Sequence, residues 1–174
     1  MRFCLHDLAL DAHNFTALES FNVQVAVSQQ ARFENDTAQE KVICILAQCE
    51  VDFYSIYFDE LVKAFNNNDL ALAYSDFEYK SDYELVDSHI RPPHWSPERF
   101  LSNDFMGPVI ALDFAKFSSA SGSNTRTSLM LECLTRNLEV KLLETVGYAV
   151  STSDLNLHSE SRKSEIQSYL DKNR

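Results

Sequence analysis

The sequence predicts an α/β layered domain with a mixed sheet, and three observations carry that expectation. Apolar runs of strand length alternate with segments of helical spacing along most of the chain. Several of those segments open on capping residues. The chain's 174 residues, 45% of them hydrophobic, suit one domain spanning 1–174 around a sizeable core.

"RFCLHDLAL" begins as a strand-like run, and "HNFTALESF" follows with Asn14 at an N-cap position and Phe15 and Leu18 at helical spacing. In "NVQVAV" the period-two alternation of Val23, Val25 and Val27 predicts a half-buried strand. Thr37 and Glu40 form a capping-box pattern, and behind it Val42, Ile45, Leu46 and Cys49 share one helical face, which predicts a helix there. "VDFYSIYF" reads as an aromatic-rich strand, and "DELVKAF" as a short helix ending at Asn66-Asn67-Asn68. "LALAY" and "PVIALDF" read as buried strands. "SSASGSN" is a small-residue loop leading into the helix "TSLMLECLTRNL". "EVKLLET" and "GYAVS" are strand-like, and residues 159–174 read as a polar amphipathic helix anchored by Ile166, Tyr169 and Leu170.

Composition removes some function classes. A net charge of -11 argues against a nucleic-acid backbone as the main partner, which requires a basic surface. Three glycines supply neither a G-x-G-x-x-G turn nor a Walker loop. Cys4, Cys44, Cys49 and Cys133 form no C-x-x-C pair and are expected to be buried thiols. No signal-like segment and no apolar stretch of about 18 residues stands out, so a soluble, cytoplasmic protein without a membrane span is expected.

The histidines (His6, His13, His89, His94 and His158) have neither zinc-helix spacing nor a neighbouring nucleophile motif. Asp59 and Glu60 follow one predicted strand; Ser75, Asp76 and Glu78 follow another. Carboxylates at the carboxyl edge of a sheet can hold Mg²⁺ or Mn²⁺. Equally, Asp59 can cap the helix that begins there and Asp76 can serve a turn. The run "DFEYKSDYELVD" has the composition of a solvated acidic loop. In "IRPPHWSPERFLSNDF", Pro92 and Pro93 stiffen an extended entry. Ser96 is an N-cap, Pro97 fits the first helical position, Glu98 complements the helix dipole, and Trp95, Phe100 and Leu101 supply buried area.

The segment "LALAYSDFEYKSDYELVDSHIRPPHWSPERFLSNDFMGPVIALD" resembles the middle of family 2 glycosyltransferases of the GT-A fold, those of rhamnan, O-antigen and cell-wall polysaccharide assembly. That family reads "YSDED", a variable loop, "KPDWSPDLLLSQNYIGH" and then a strand; here "YSDFE", "RPPHWSPERFLSNDFMG" and "PVIALD" stand in register. The flanks "FCLHDLALDAHNF", "NDTAQEKVICILAQCEVDFYSIYFDELVKAF" and "RTSLMLECLTRNLEVKLLETVGYAV" are similar to it more distantly.

The resemblance implies a three-layer GT-A-like domain with a mixed, mostly parallel central sheet that lacks the family's first strand. It implies sugar transfer from a nucleotide-diphosphate donor to a polysaccharide or lipid-linked acceptor, with Mg²⁺ or Mn²⁺. Residue by residue, Asp7 takes the base contact, Asp59 the metal, Asp76 and Glu78 the donor carboxylates, and His94, Trp95 and Asn103 the acceptor side. The family's proton-accepting carboxylate falls at Ser128, with Glu132 one turn away, and a serine cannot do that work near neutral pH. The alternative is therefore an inactive remnant that binds glycan or another protein. A missing strand exposes a sheet edge, which implies a homodimer or a protein partner.

Overall fold

The computed structural model describes residues 2–7, 24–25, 42–49, 51–80, 89–117, 125–151 and 160–173. Within them eight strands form one sheet: β1 (Arg2–Asp7), β2 (Gln24–Val25), β3 (Val42–Ala47), β4 (Val51–Phe53), β5 (Leu70–Lys80), β6 (His89–Ile90), β7 (Val109–Asp113) and β8 (Glu139–Ser151). Their order is β2-β1-β3-β7-β5-β8-β4, with β6 added beside the far end of β5. Five helices accompany them: α1 (Ser55–Phe65), α2 (Pro97–Ser102), α3 (Phe114–Phe117), α4 (Arg126–Arg136) and α5 (Glu160–Lys172).

The α/β class and the mixed sheet agree with the sequence reading, but the sheet is not mostly parallel. Of its seven pairings, β1–β2, β1–β3 and β5–β8 are parallel and the other four antiparallel. The cause is β7. It re-enters after the Pro-Pro elbow and runs opposite to both β3 and β5, while β4 and β6 join β8 and β5 by antiparallel pairing.

Alternation along the strands splits the core between the two faces of the sheet. Ile43, Ile45, Ala73, Phe77, Val109 and Ala111 pack with Tyr57, Phe58, Leu61 and Phe65 of α1. On the opposite face, Cys44, Leu72, Tyr74, Ile110 and Leu112 meet Phe100 of α2, Phe117 of α3, and Leu129, Met130 and Cys133 of α4. Burial of each such large side chain is worth about 1.5–3 kcal/mol, so the apolar residues on both strand faces fix a helix–sheet–helix sandwich. Cys44, Cys49 and Cys133 are buried thiols, as expected.

Two segments correct the sequence reading. Val42–Ala47 is strand, not helix. Its helical spacing is a by-product of a continuous apolar run, which is how a strand covered on both faces looks. "VDFYSIYF" is strand only to Phe53, and α1 begins at Ser55. Its buried residues Tyr57, Phe58, Leu61, Ala64 and Phe65 recur at helical intervals. Asp59 therefore lies inside α1, exposed, and caps nothing.

The predicted "EVKLLET" and "GYAVS" strands are one, β8, whose pairing with β5 skips Glu144 and Thr145 and then Gly147. Such bulges add twist and turn a strand's edge. The acidic run is strand as far as Lys80. The helix predicted at "HNFTALESF", the Thr37–Glu40 capping box and the "SSASGSN" loop lie outside the described residues, as do His13 and His158.

The elbow forms as its chemistry dictates. Ser96 is extended (φ −146°, ψ 124°), its hydroxyl accepts from the Arg99 N–H at 3.3 Å, and Pro97 opens α2. Trp95 packs on Phe100 and Phe105, with ring centroids 5.6 and 6.4 Å apart. The Tyr74 hydroxyl donates to the Pro93 carbonyl at 2.6 Å, tying the elbow to β5. Gly107 then takes φ +76°, where a Cβ would stand 2.6 Å from the Phe77 ring. Only glycine adopts that conformation without cost.

Candidate functional site

The strand directions place β1, β3, β5 and β8 parallel to one another, so Asp7, Gln48 and Asp76 fall at one carboxyl edge of the sheet. In open α/β sheets that edge is where ligands bind. Asp7 closes β1 opposite Ala47; its side chain lies outside the described residues.

Beyond this edge β5 continues, and Asp76, Glu78 and Lys80 share a face. Asp76 is buried, 6% exposed. Its Oδ2 lies 3.1 Å from His89 Nε2 and 3.6 Å from Arg91 Nε. The Tyr54 hydroxyl donates to Glu78 Oε2 at 3.0 Å, and burial, then that carboxylate, pushes the Tyr54 hydroxyl's pKa up. Lys80 pairs with Asp52. Because Glu78 and Asp52 both register with Ala149 of β8, the three strands lay one continuous polar surface over this end of the sheet. Each carboxylate on it already has a cationic or donating neighbour. The exposed guanidinium of Arg91 and the half-buried imidazole of His89 give this surface its donors.

A second polar group sits at the same edge but inside. Arg126, at the start of α4, donates to Gln48 Oε1 at 2.9 Å and to Asp104 Oδ1 at 3.2 Å. Its side chain is 6% exposed. This pair links β3, the elbow and α4, and sequence reasoning missed it.

The remaining expected site residues are scattered. Ser128 serves its own helix: its hydroxyl donates to the Thr125 carbonyl at 2.8 Å, and its N–H donates to Thr125 Oγ1 at 3.1 Å. Glu132 accepts from Arg136 at 2.6 Å. Asp59 has Lys63 of the same helix as its charged neighbour. Asn103 is the exposed C-cap of α2, its N–H donating to the Arg99 carbonyl at 2.8 Å. Among the described residues, no three His, Cys, Asp or Glu side chains converge on a common metal position.

His94 and Trp95 do share a cavity, a groove of about 570 Å³ away from the Asp76 cluster. One wall is the elbow and the other is Glu60, Lys63 and Ala64 of α1; the floor is Val140–Glu144 of β8. His94 Nε2 lies 3.8 Å from Glu144 Oε1. No described helix is long and apolar enough to cross a membrane.

No protein-family model and no curated protein matches the chain.

Proposed function

We propose that the chain is a GT-A-like domain of the family 2 glycosyltransferase type that acts as a binding module rather than as a transferase. The observation that carries this reading is the engagement of Ser128. Its hydroxyl and N–H both close the first turn of α4, where the resemblance expects a proton-accepting carboxylate. The donor-side carboxylates support it: Asp76 faces His89 and Arg91, and Glu78 faces Tyr54. The GT-A part rests on the elbow, whose motif residues Trp95, Ser96, Pro97 and Gly107 each hold a defined place between β5 and β7.

Thermal unfolding with UDP- and dTDP-sugars, with and without Mn²⁺, tests the proposal. A ligand bound only by the folded state raises the midpoint. The expected result is no metal-dependent shift and no sugar released or transferred. A Mn²⁺-dependent shift that disappears in Asp59→Ala, together with turnover of any donor, would restore the enzyme reading.

A further inference from the structure

We propose that the groove beside β8 takes an extended peptide as an added antiparallel strand. β4 covers β8 only at Tyr148–Val150, and among the described residues no strand pairs with the same side of Val140–Leu143. Five consecutive residues, Val140–Glu144, line the groove. Residues of both alternations can line one cavity only if it runs along the strand edge, so it exposes backbone donors and acceptors. Such an edge is a template for another chain.

The walls select the occupant. Val140, Leu142 and Glu144 face the elbow, as their packing beside Trp95 and the His94–Glu144 approach show. Lys141 and Leu143 face α1, where Leu143 joins the core with Leu61. The Glu60–Lys63 pair at 2.7 Å is internally neutral, which leaves Lys141 and Glu144 as the charges a new strand would meet. In an antiparallel strand, residues directly opposite share a face, and opposite charges there attract. The complementary sequence therefore carries a basic residue opposite Glu144, apolar residues opposite Leu142 and Val140, and an acidic residue opposite Lys141. Read from its N-terminus, that is Lys-Thr-Val-Glu-Val.

A second copy of this chain fits poorly. The edge is recessed between α1 and the elbow, so two such edges cannot meet. In a two-fold pairing centred on Leu142, Lys141 would face Leu143 and Glu144 would face Val140, with neither charge compensated. The proposal deepens the binding-module reading and rests on it. Its probe involves neither Asp76 nor a nucleotide, so the two tests fail separately.

The experiment titrates the full chain into a fluorescent, blocked Thr-Lys-Thr-Val-Glu-Val-Thr peptide and follows anisotropy. Saturable binding below about 1 mM is expected. Exchanging the peptide's Lys and Glu is expected to weaken binding about tenfold. The double variant Lys141→Glu/Glu144→Lys, both positions exposed, should invert that preference. N-methylation of alternate peptide residues should abolish binding in one of the two phases. Equal binding of both peptides, an unchanged preference in the double variant, or no binding at about 1 mM overturns the proposal. A dimer of the chain that excludes the peptide overturns it in favour of self-pairing.

Discussion

His89 Nε2 stands 3.1 Å from Asp76 Oδ2 across the β5–β6 pair, joining residues thirteen apart in sequence. The carboxylate is almost fully buried, and its second neighbour, the Arg91 guanidinium, is largely exposed. Replacing His89 with Ala is expected to lower stability by about 1–3 kcal/mol, because it leaves a desolvated acceptor under-satisfied. Chemical denaturation measures it. In Asp76→Val/His89→Ala the loss should be smaller than the sum of the single variants; strict additivity would show that the two residues do not act as a pair.

Arg126 and Asp104 make a largely buried charge pair, 3.2 Å apart with side chains 6% and 11% exposed. Arg126→Met strands the Asp104 carboxylate and is expected to cost about 3–5 kcal/mol. Adding Asp104→Leu should recover much of that loss. A single variant within 0.5 kcal/mol of the parent, on the order of an ordinary surface change, would contradict this assignment.

The Tyr57 hydroxyl is buried among Phe53, Phe58 and Tyr148, without a hydrogen-bond partner among the described residues. Burial alone drives its pKa upward. Tyr57→Phe keeps the ring and removes an unsatisfied group, so a gain of about 1 kcal/mol is expected. A higher denaturation midpoint with an unchanged slope is the signature. A lower midpoint would mean that the hydroxyl is satisfied.

Cys133 gives the pH prediction. Burial, then Glu132, pushes its thiol from an ordinary 9.0 up to about 12. Between those values the unfolded chain loses the proton while the folded chain keeps it, so stability falls as pH rises. The contribution is intact below pH 9, declines across the window and is fully lost above about 12. Buried Tyr57, Tyr74 and Tyr148, also shifted upward, add to the alkaline limb. Unfolding of Cys133→Ala should therefore show a shallower decline above pH 9. Below that pH the thiol should resist alkylation until the chain unfolds, since thiolate is the reactive form.

Legibility in the sequence followed the range of the interactions involved. The elbow was readable because its determinants are local: Ser96 bonds a backbone group three residues on, and Pro97 presets the helical φ. β5 and β7 were readable as buried strands, and the end of α1 at Asn66 as a stop. β3 was misread because an uninterrupted apolar run carries any periodicity that is sought in it. The start of α1 was missed because aromatics favour strands until tertiary burial decides otherwise. At the site, Asp76 and Glu78 stood out because they directly follow the apolar run "LALAY". Tyr54 and Arg126 did not, since their partners lie 24 and 22 or 78 residues away and only the folded sheet brings them together.

The β5–β8 ladder has a consequence for biosynthesis. Leu70 pairs with Glu139, and β5 gains its other neighbours from β6 and β7, which are made between them. As the chain leaves the ribosome at about 5–20 residues per second, the apolar strand β5 waits roughly 4–14 s for its parallel partner. During that interval its Leu-Ala-Leu-Ala-Tyr run is an unpaired edge. The nascent chain should therefore bind holdase chaperones when stalled between β7 and β8, and release them once Val150 has emerged.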